Sequence, residues 1–301
     1  MPDVSGHRFD TISFLTDYGV SDEFVGVVKA VIRDLAPHVG VIDLTHDVPP
    51  FDVRAGALTL ARCIGYVPSG VVLAVVDPGV GTARRAVAIE VAGGAGVLIG
   101  PDNGLLAPAV AMVGGAERAV ELTSAEHQLE AAGATFAGRD VFGPAAAHVC
   151  NGVDLAELGP EIDTALMVPG TVPLPRQDGD EMLTEVLWID RFGNCQLNVG
   201  PDDLADWGSH VQLRIGAPGD PSRPGGQLVR AAARADNFAG IPGGGIGLVL
   251  DSYGMLALCL DRRSAAEELA LGPGDQVTLV PLGDDPAPEP GTTPVSLGPT
   301  R

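Results

Sequence analysis

The sequence predicts an α/β fold in two parts: a mostly parallel N-terminal sheet with helices on both faces, and a smaller C-terminal antiparallel β-barrel. Three observations lead there. Apolar runs alternate with amphipathic helical segments over residues 11–76, and helix-length crossovers between such runs require parallel pairing. Beyond the Pro-, Gly- and charge-rich stretch Pro169–Asp180, short strands dominate, separated by Gly, Pro, Asp and Ser, the pattern of a small antiparallel barrel. Finally, 301 residues at 46% hydrophobic are enough for one large or two ordinary domains.

The elements follow in order. Thr11–Leu15 is a short apolar strand that runs into Thr16-Asp17-Tyr18-Gly19. Ser21-Asp22-Glu23 reads as an N-cap with acids in the first turn, opening a helix from Phe24 to Leu35 with Val25, Val28, Ile32 and Leu35 on one face. Val39–Leu44 is a strand ending in Thr45-His46-Asp47, and Asp52–Cys63 is a helix. Gly70–Val76 is a buried parallel strand ending in Asp77-Pro78-Gly79. Ala86–Glu90 and Gly96–Ile99 are strands, Leu105–Val113 is a helix, and Thr135–Asp140 is a polar turn entering the helix Val141–Cys150. In the second part, strands are expected at Leu183–Asp190, Val211–Ile215, Gln227–Arg230, Ile246–Leu250, Met255–Leu260 and Val277–Leu282, with a short helix at Ser264–Leu271. The expected division is 8–167, a linker 168–180, 181–282, and a Pro-, Thr- and Gly-rich disordered tail 283–301. No internal repeat is evident.

Composition excludes some functions. The formal charge is -21, and Lys29 is the single lysine among 18 basic residues, which argues against nucleic acid or an anionic membrane as partner. The four cysteines, Cys63, Cys150, Cys195 and Cys259, show no CxxC spacing and read as free thiols of a reducing cytoplasm. The N-terminus lacks a signal pattern and no apolar run reaches membrane-span length, so a soluble cytoplasmic protein is expected.

In an open α/β sheet, ligands bind at the carboxyl ends of the strands, and here those ends carry Asp17, His46/Asp47 and Asp77. Asp17, Asp77 and Arg84 read either as an active edge, with carboxylates that accept hydroxyl hydrogens and a cation that polarises a small nucleophile, or as caps and turns. His46 reads as a structural histidine, and no His/Cys cluster has metal-ligand spacing. Asp190-Arg191-Phe192-Gly193-Asn194 combines an acid, an aromatic and an amide, a set suited to a polar planar ligand or to a plain hairpin.

TDYG (16–19), DLTHDVPPFDVRAGA (43–57), VVDPGVGTARR (75–85), PDNGLL (101–106), TFAGRDVFGPAAAH (135–148), DRFGNCQLN (190–198) and DSYGMLAL (251–258) together resemble the S-adenosyl-L-methionine hydroxide adenosyltransferases, adenosine-forming SAM hydrolases related to the fluorinase and chlorinase. The resemblance runs through both parts, from about residue 10 to residue 282. It implies a Rossmann-like N-terminal domain and a β-barrel domain in a homotrimer, with active sites between subunits. The implied reaction is SAM plus water giving adenosine and L-methionine, with no metal and no cofactor, SAM being the substrate. By motif, Asp17 would hold the ribose hydroxyls, and Asp77 and Arg84 would belong to an Asp–Arg–His set that orients water. Phe192 and Asn194 would contact the nucleoside, with Phe238 as an aromatic wall. Asp190 would face the methionine ammonium, Ser252 its carboxylate, and the backbone near Leu260 the adenine.

The sequence departs from the pattern at three places. The histidine expected before Gly-Arg-Asp is Ala137, and Tyr253 and Ala257 replace a basic residue and a glutamate of some relatives. The resemblance implies water rather than halide, because the halogenating relatives lack the Asp77/Arg84 pair. A halogenase, or a SAM- or adenosine-binding protein with little turnover, are the alternatives.

Overall fold

The computed structural model describes residues 6–216 and 226–283. The expectation of a disordered tail falls on residues that lie, from 284 on, outside this range; Gly283 itself closes the last strand. Internal contacts divide the chain into two compact units, the first ending at Val172 and the second beginning at Pro173.

The first unit is a six-stranded sheet. Its strands are β1 (Thr11–Thr16), β2 (Gly40–Thr45), β3 (Gly70–Val75), β4 (Ala86–Val91), β5 (Gly96–Pro101) and β6 (Ala116–Glu121), in the spatial order β2-β1-β3-β5-β4-β6. Pairings β2–β1, β1–β3 and β3–β5 are parallel; β4 runs against both its neighbours. The Gly93–Gly94 turn between β4 and β5 has positive φ at both glycines, which lets the chain reverse there.

Side-chain alternation along β3 shows how the sheet is covered. Val71, Leu73 and Val75 pack into one buried cluster with Val28 and Ile32 of α1 (Phe24–Leu35) and with Ala146 and Val149 of the helix Gly143–Cys150. Val72, Ala74 and Val76 pack into the other cluster with Leu60 and Ile64 of α2 (Val53–Ile64) and with Ala109 and Val110 of α3 (Ala107–Met112). A strand buried on both faces has no polar side, so β3 reads as an unbroken apolar run. Asp52 caps α2 by accepting a hydrogen bond from the Ala55 N–H at 2.8 Å. The expected acidic cap of α1 is corrected: the helix starts behind Glu23 with no side-chain capping bond and no acid in its first turn. The polar turn before Val141 is a single π-helical turn, Gly138–Phe142, continuing into the helix Gly143–Cys150, here α4.

The second unit is a barrel of β8 (Glu181–Ile189), β9 (Cys195–Leu197), β10 (His210–Ile215), β11 (Leu228–Ala235), β12 (Ile246–Leu250), β13 (Leu256–Leu260) and β14 (Gln276–Gly283), closed by pairing of β14 with β8. The expectation of a wholly antiparallel barrel is corrected at one seam, where β11 and β12 are parallel. The loop Phe238–Gly245, too long for a hairpin, makes that crossover. The stretch read as a linker is also corrected: Arg176–Asp178 forms a short strand, β7, paired with β8. Its side chains are all exposed, so no hydrophobic alternation announces it. The short helix lies at Ala265–Leu269 after the short α5 (Leu155–Leu158), and is α6.

Candidate active site

The sheet changes direction between β1 and β3: the chain leaves β1 for β2 on one side and returns to β3 on the other. The carboxyl ends of these two strands therefore flank a crevice, and Thr16 lies opposite Val75 in the register. Asp17 follows β1 directly and Asp77 follows β3 after Val76, which brings both carboxylates to one cavity of about 230 Å³. Its wall is Asp17, Tyr18, Phe24, Pro50, Phe51, Asp77, Val80, Thr135, Phe136 and Ala137.

Arg84 returns to Asp77 through a tight turn. Val80 N–H donates to the Asp77 carbonyl at 3.2 Å, Thr82 Oγ1 donates to the Gly79 carbonyl at 2.7 Å, and Gly81 holds φ 78°. Arg84 Nε lies 2.9 Å from each Asp77 carboxylate oxygen, and its Nη2 donates to Oδ2 as well. The Asp77 side chain is 5% exposed and that of Arg84 16%, so the pair is little screened. The guanidinium carbon lies 5.1 Å from the centre of the Phe142 ring, which adds a cation–π contact. Arg85 turns away to Asp102, with Nε 2.9 Å from Oδ2, and Asp102 also accepts the Val168 N–H at 2.8 Å. Of the two adjacent arginines, one pairs with the cavity's Asp77 and the other ties loops together.

Asp17 accepts the Phe51 N–H at 2.9 Å on Oδ2. This bond holds Phe51 at φ 68°, left-handed for a residue with a side chain. His46 is structural: it is 6% exposed, with Nδ1 2.9 Å from Thr16 Oγ1 and Nε2 3.2 Å from Asp43. The three strand ends share one edge of the sheet, since β2, β1 and β3 are adjacent and parallel, but Asp47 is exposed and absent from the cavity wall. Strand β2 lies at the sheet's edge, one strand further from the crevice.

Aromatic rings that the sequence reading passed over surround these carboxylates. Tyr18, Phe24 and Phe136 stand edge-to-face or tilted, at centroid separations of 5.0 to 5.8 Å. The chain has eight phenylalanines and three tyrosines, so this concentration was the available signal. The Tyr18 hydroxyl is pushed well above its ordinary pKa, first by burial and then by the charges of Asp17 and Asp77, with Arg84 opposing. Ala137 stands on the wall, and its methyl offers no hydrogen bond.

The barrel unit presents two adjoining cavities. One, of about 490 Å³, is lined by Phe192, Asn194, Phe238, Leu260, Asp261, Arg262, Arg263 and Ser264. The other, of about 420 Å³, shares Phe192, Asn194 and Phe238 and adds Trp188, Asp190, Gln196, Asp251, Ser252, Tyr253 and Ala257 among its lining. All six site residues expected in this half are thus brought together. Trp188 and the Arg262–Ser264 segment were missed, lying outside the motifs that drew attention, whereas Gln196 and Asp251 lie within two of those motifs but were given no role.

The two hairpins at this mouth share one design. Asp190 Oδ1 accepts the N–H groups of Phe192 and Asn194, both at 2.9 Å; Asp251 Oδ1 accepts those of Tyr253 and Met255, at 2.8 and 3.0 Å. Gly193 and Gly254 both adopt φ 83°. Each loop is a five-residue turn that starts on an aspartate, offers an aromatic at its third residue and turns on glycine. Asp190 Oδ2 also accepts Asn194 Nδ2 at 2.8 Å, so this carboxylate is first the organiser of its own turn.

Among the described residues, no group of three or more His, Cys, Asp and Glu side chains could hold a metal ion. None of their helices is long and apolar enough to cross a membrane. The thiols of Cys150, Cys195 and Cys259 are buried, and burial pushes each up to about 12.

A parallel sheet with two carboxylates at its switch point, followed by a separate barrel, defines a two-unit α/β protein with a cavity in each unit. Residues 12–159 match the SAM hydroxide adenosyltransferase N-terminal domain, and residues 184–278 match the C-terminal domain of the same name. The (R)-S-adenosyl-L-methionine hydrolase of Salinispora arenicola is 44% identical over 270 residues, covering 89% of this chain and 97% of that one. A fluorinase of Nocardia brasiliensis is 29% identical over 303 residues, covering 93% and 99%. The crystal structure of an uncharacterized conserved protein from Thermotoga maritima superposes with a TM-score of 0.79 at 31% identity, over 89% of this chain and 99% of that one. The chain belongs to the SAM hydroxide adenosyltransferase family.

Proposed function

We propose that this protein hydrolyses S-adenosyl-L-methionine to adenosine and L-methionine. The observation that carries the reading is Asp77, which follows β3 on the wall of the same cavity as Asp17 and is paired with the Arg84 guanidinium. Water attacks C5′; the C5′–O bond forms as the C5′–S bond breaks, and the bonding pair goes to sulfur, so methionine leaves as a neutral thioether. The proton released from the water passes to Asp77 or to solvent. The cationic leaving group needs no Lewis acid. Asp77 accepts a hydrogen bond from the water and aims its lone pair, while Arg84, always protonated, stabilises charge on the attacking oxygen. Asp17 takes the ribose hydroxyls on its remaining lone pairs.

Phe192 and Phe238 supply stacking faces for the purine, and Asn194 and the backbone near Leu260 supply its polar contacts. Asp190 faces the methionine ammonium and Ser252 the carboxylate. The sheet cavity and the barrel mouth are half-sites that different copies of a homotrimer bring together. Light scattering checks this assembly; a monomer that turns over SAM sinks it. We place the reaction in the cytoplasm, a reducing compartment compatible with the free thiols.

Incubation with SAM should release adenosine and methionine in equal amounts, undiminished after dialysis against EDTA. If 5′-chloro-5′-deoxyadenosine were the main product at high chloride, the protein would be a halogenase. Ala137 favours a second reading, a binder of SAM or adenosine with little turnover. Tight calorimetric binding without product over hours would establish that one instead.

A further inference from the structure

We propose that the Tyr18 hydroxyl is a third group that holds the attacking water, donating its hydrogen to that water's oxygen beside Asp77 and Arg84. The inference rests on the hydrolase reading and extends it to a residue outside the pair. Tyr18 immediately follows Asp17 and lines the same cavity as Asp17, Asp77 and Ala137.

Its position is built, not incidental. A Cβ at Gly138 would lie 2.3 Å from the Tyr18 hydroxyl oxygen and 3.2 Å from two ring carbons. Only glycine at 138 leaves room for the hydroxyl, although Gly138 has no positive φ that would otherwise require it. Gly138 follows Ala137 and opens the π-helical turn. The hydroxyl lies against the Gly138 backbone, whose influence favours the ionised form and is outweighed by burial and the two carboxylates. The Gly138 carbonyl is engaged by the Gly143 N–H. The ring is gripped by Phe24 and Phe136, each with a centroid 5.8 Å away. Backbone on one side and rings on the other thus set the direction of the phenol. Its own hydrogen is left to donate into the cavity.

Charge completes the argument. Burial, and then the carboxylates of Asp17 and Asp77, push the phenol's pKa up, which favours its neutral, hydrogen-donating form. Asp77 accepts one hydrogen of the water; a donor to one lone pair leaves the other to point at carbon. Thr135, the other hydroxyl on the wall, is exposed and has no comparable seat.

The test is a cycle on Tyr18→Phe and Gly138→Ala, with adenosine release followed at saturating SAM. Tyr18→Phe keeps the ring and should lower kcat about tenfold with KM within twofold, the size of a lost positioning contact. Gly138→Ala keeps the hydroxyl in the chain but displaces it, and should lower kcat at least as much. Phenylalanine removes the atom that the new methyl meets, so adding Tyr18→Phe to Gly138→Ala should cost nothing further. Circular dichroism and thermal unfolding show that each variant is folded. A kcat for Tyr18→Phe within twofold of the unaltered protein, or fully additive losses in the cycle, overturns the inference alone. Absence of adenosine release from the unaltered protein overturns the hydrolase reading and this inference together.

Discussion

The sheet cavity and the barrel mouth both depend on aspartates at strand ends, but they use them differently. Asp77 faces a guanidinium, and its partner is a side chain that can be removed without touching the backbone. Asp190 and Asp251 face N–H groups of their own loops, and their bonds hold the turn itself. A carboxylate matched by a side-chain charge sits in a field that can act on charge developing during a reaction. One saturated by backbone can hold a shape. On the proposed function, chemistry belongs to the sheet edge and recognition to the barrel.

Substitutions can break or sharpen this contrast. The largest effect is expected at the pair: Asp77→Asn and Arg84→Ala should each lower kcat by about 100-fold, the scale of a lost electrostatic contact in a transition state, while KM moves far less. Unchanged turnover at saturating SAM would make the sheet edge structural. Asp190→Ala should show the opposite split, with KM raised about tenfold or more as the turn loosens and kcat nearly kept, because binding rather than reaction is lost.

In stability, Arg84→Ala strands a carboxylate that is 5% exposed and should cost about 3 kcal/mol in chemical denaturation. The two turn glycines make a finer comparison. A Cβ on Gly193 would meet Ser264 Oγ at 2.1 Å, whereas one on Gly254 meets nothing within 4 Å. Gly254→Ala should therefore cost about 1 kcal/mol for the left-handed backbone alone, and Gly193→Ala clearly more; equal losses would mean that the Ser264 contact is soft. The smallest effect is expected from Ala137→His, a rise of a few-fold in kcat as a further hydrogen-bonding group reaches the cavity wall.

Much of this arrangement is legible in the residues, and the limits have physical causes. Strand β3 is apolar throughout because both its faces are covered, and Asp-Pro-Gly marks its end. Strand β6 has the sequence AERAVE with two buried residues; an edge strand that buries so little has no apolar run to betray it. The three-residue β9 is hidden behind the turn it completes. At the site, Asp17, Asp77 and Arg84 are close in sequence to the strand ends that place them. Phe24 and Phe136, by contrast, are 112 positions apart in the chain, and only packing brings such rings together. The kinship of the two barrel turns escapes a search for repeats because just the aspartate and the glycine are shared, DRFGN against DSYGM.

That kinship has a consequence for how the protein can diversify. In each turn the aspartate Oδ1 bonds the backbone, and the second and third side chains take no part in those bonds. Arg191 and Phe192 on one loop, and Ser252 and Tyr253 on the other, occupy equivalent positions on interchangeable mounts. New side chains can be tried at the barrel's mouth while the scaffold beneath stays the same, so preference for a ligand can drift without the fold having to be renegotiated.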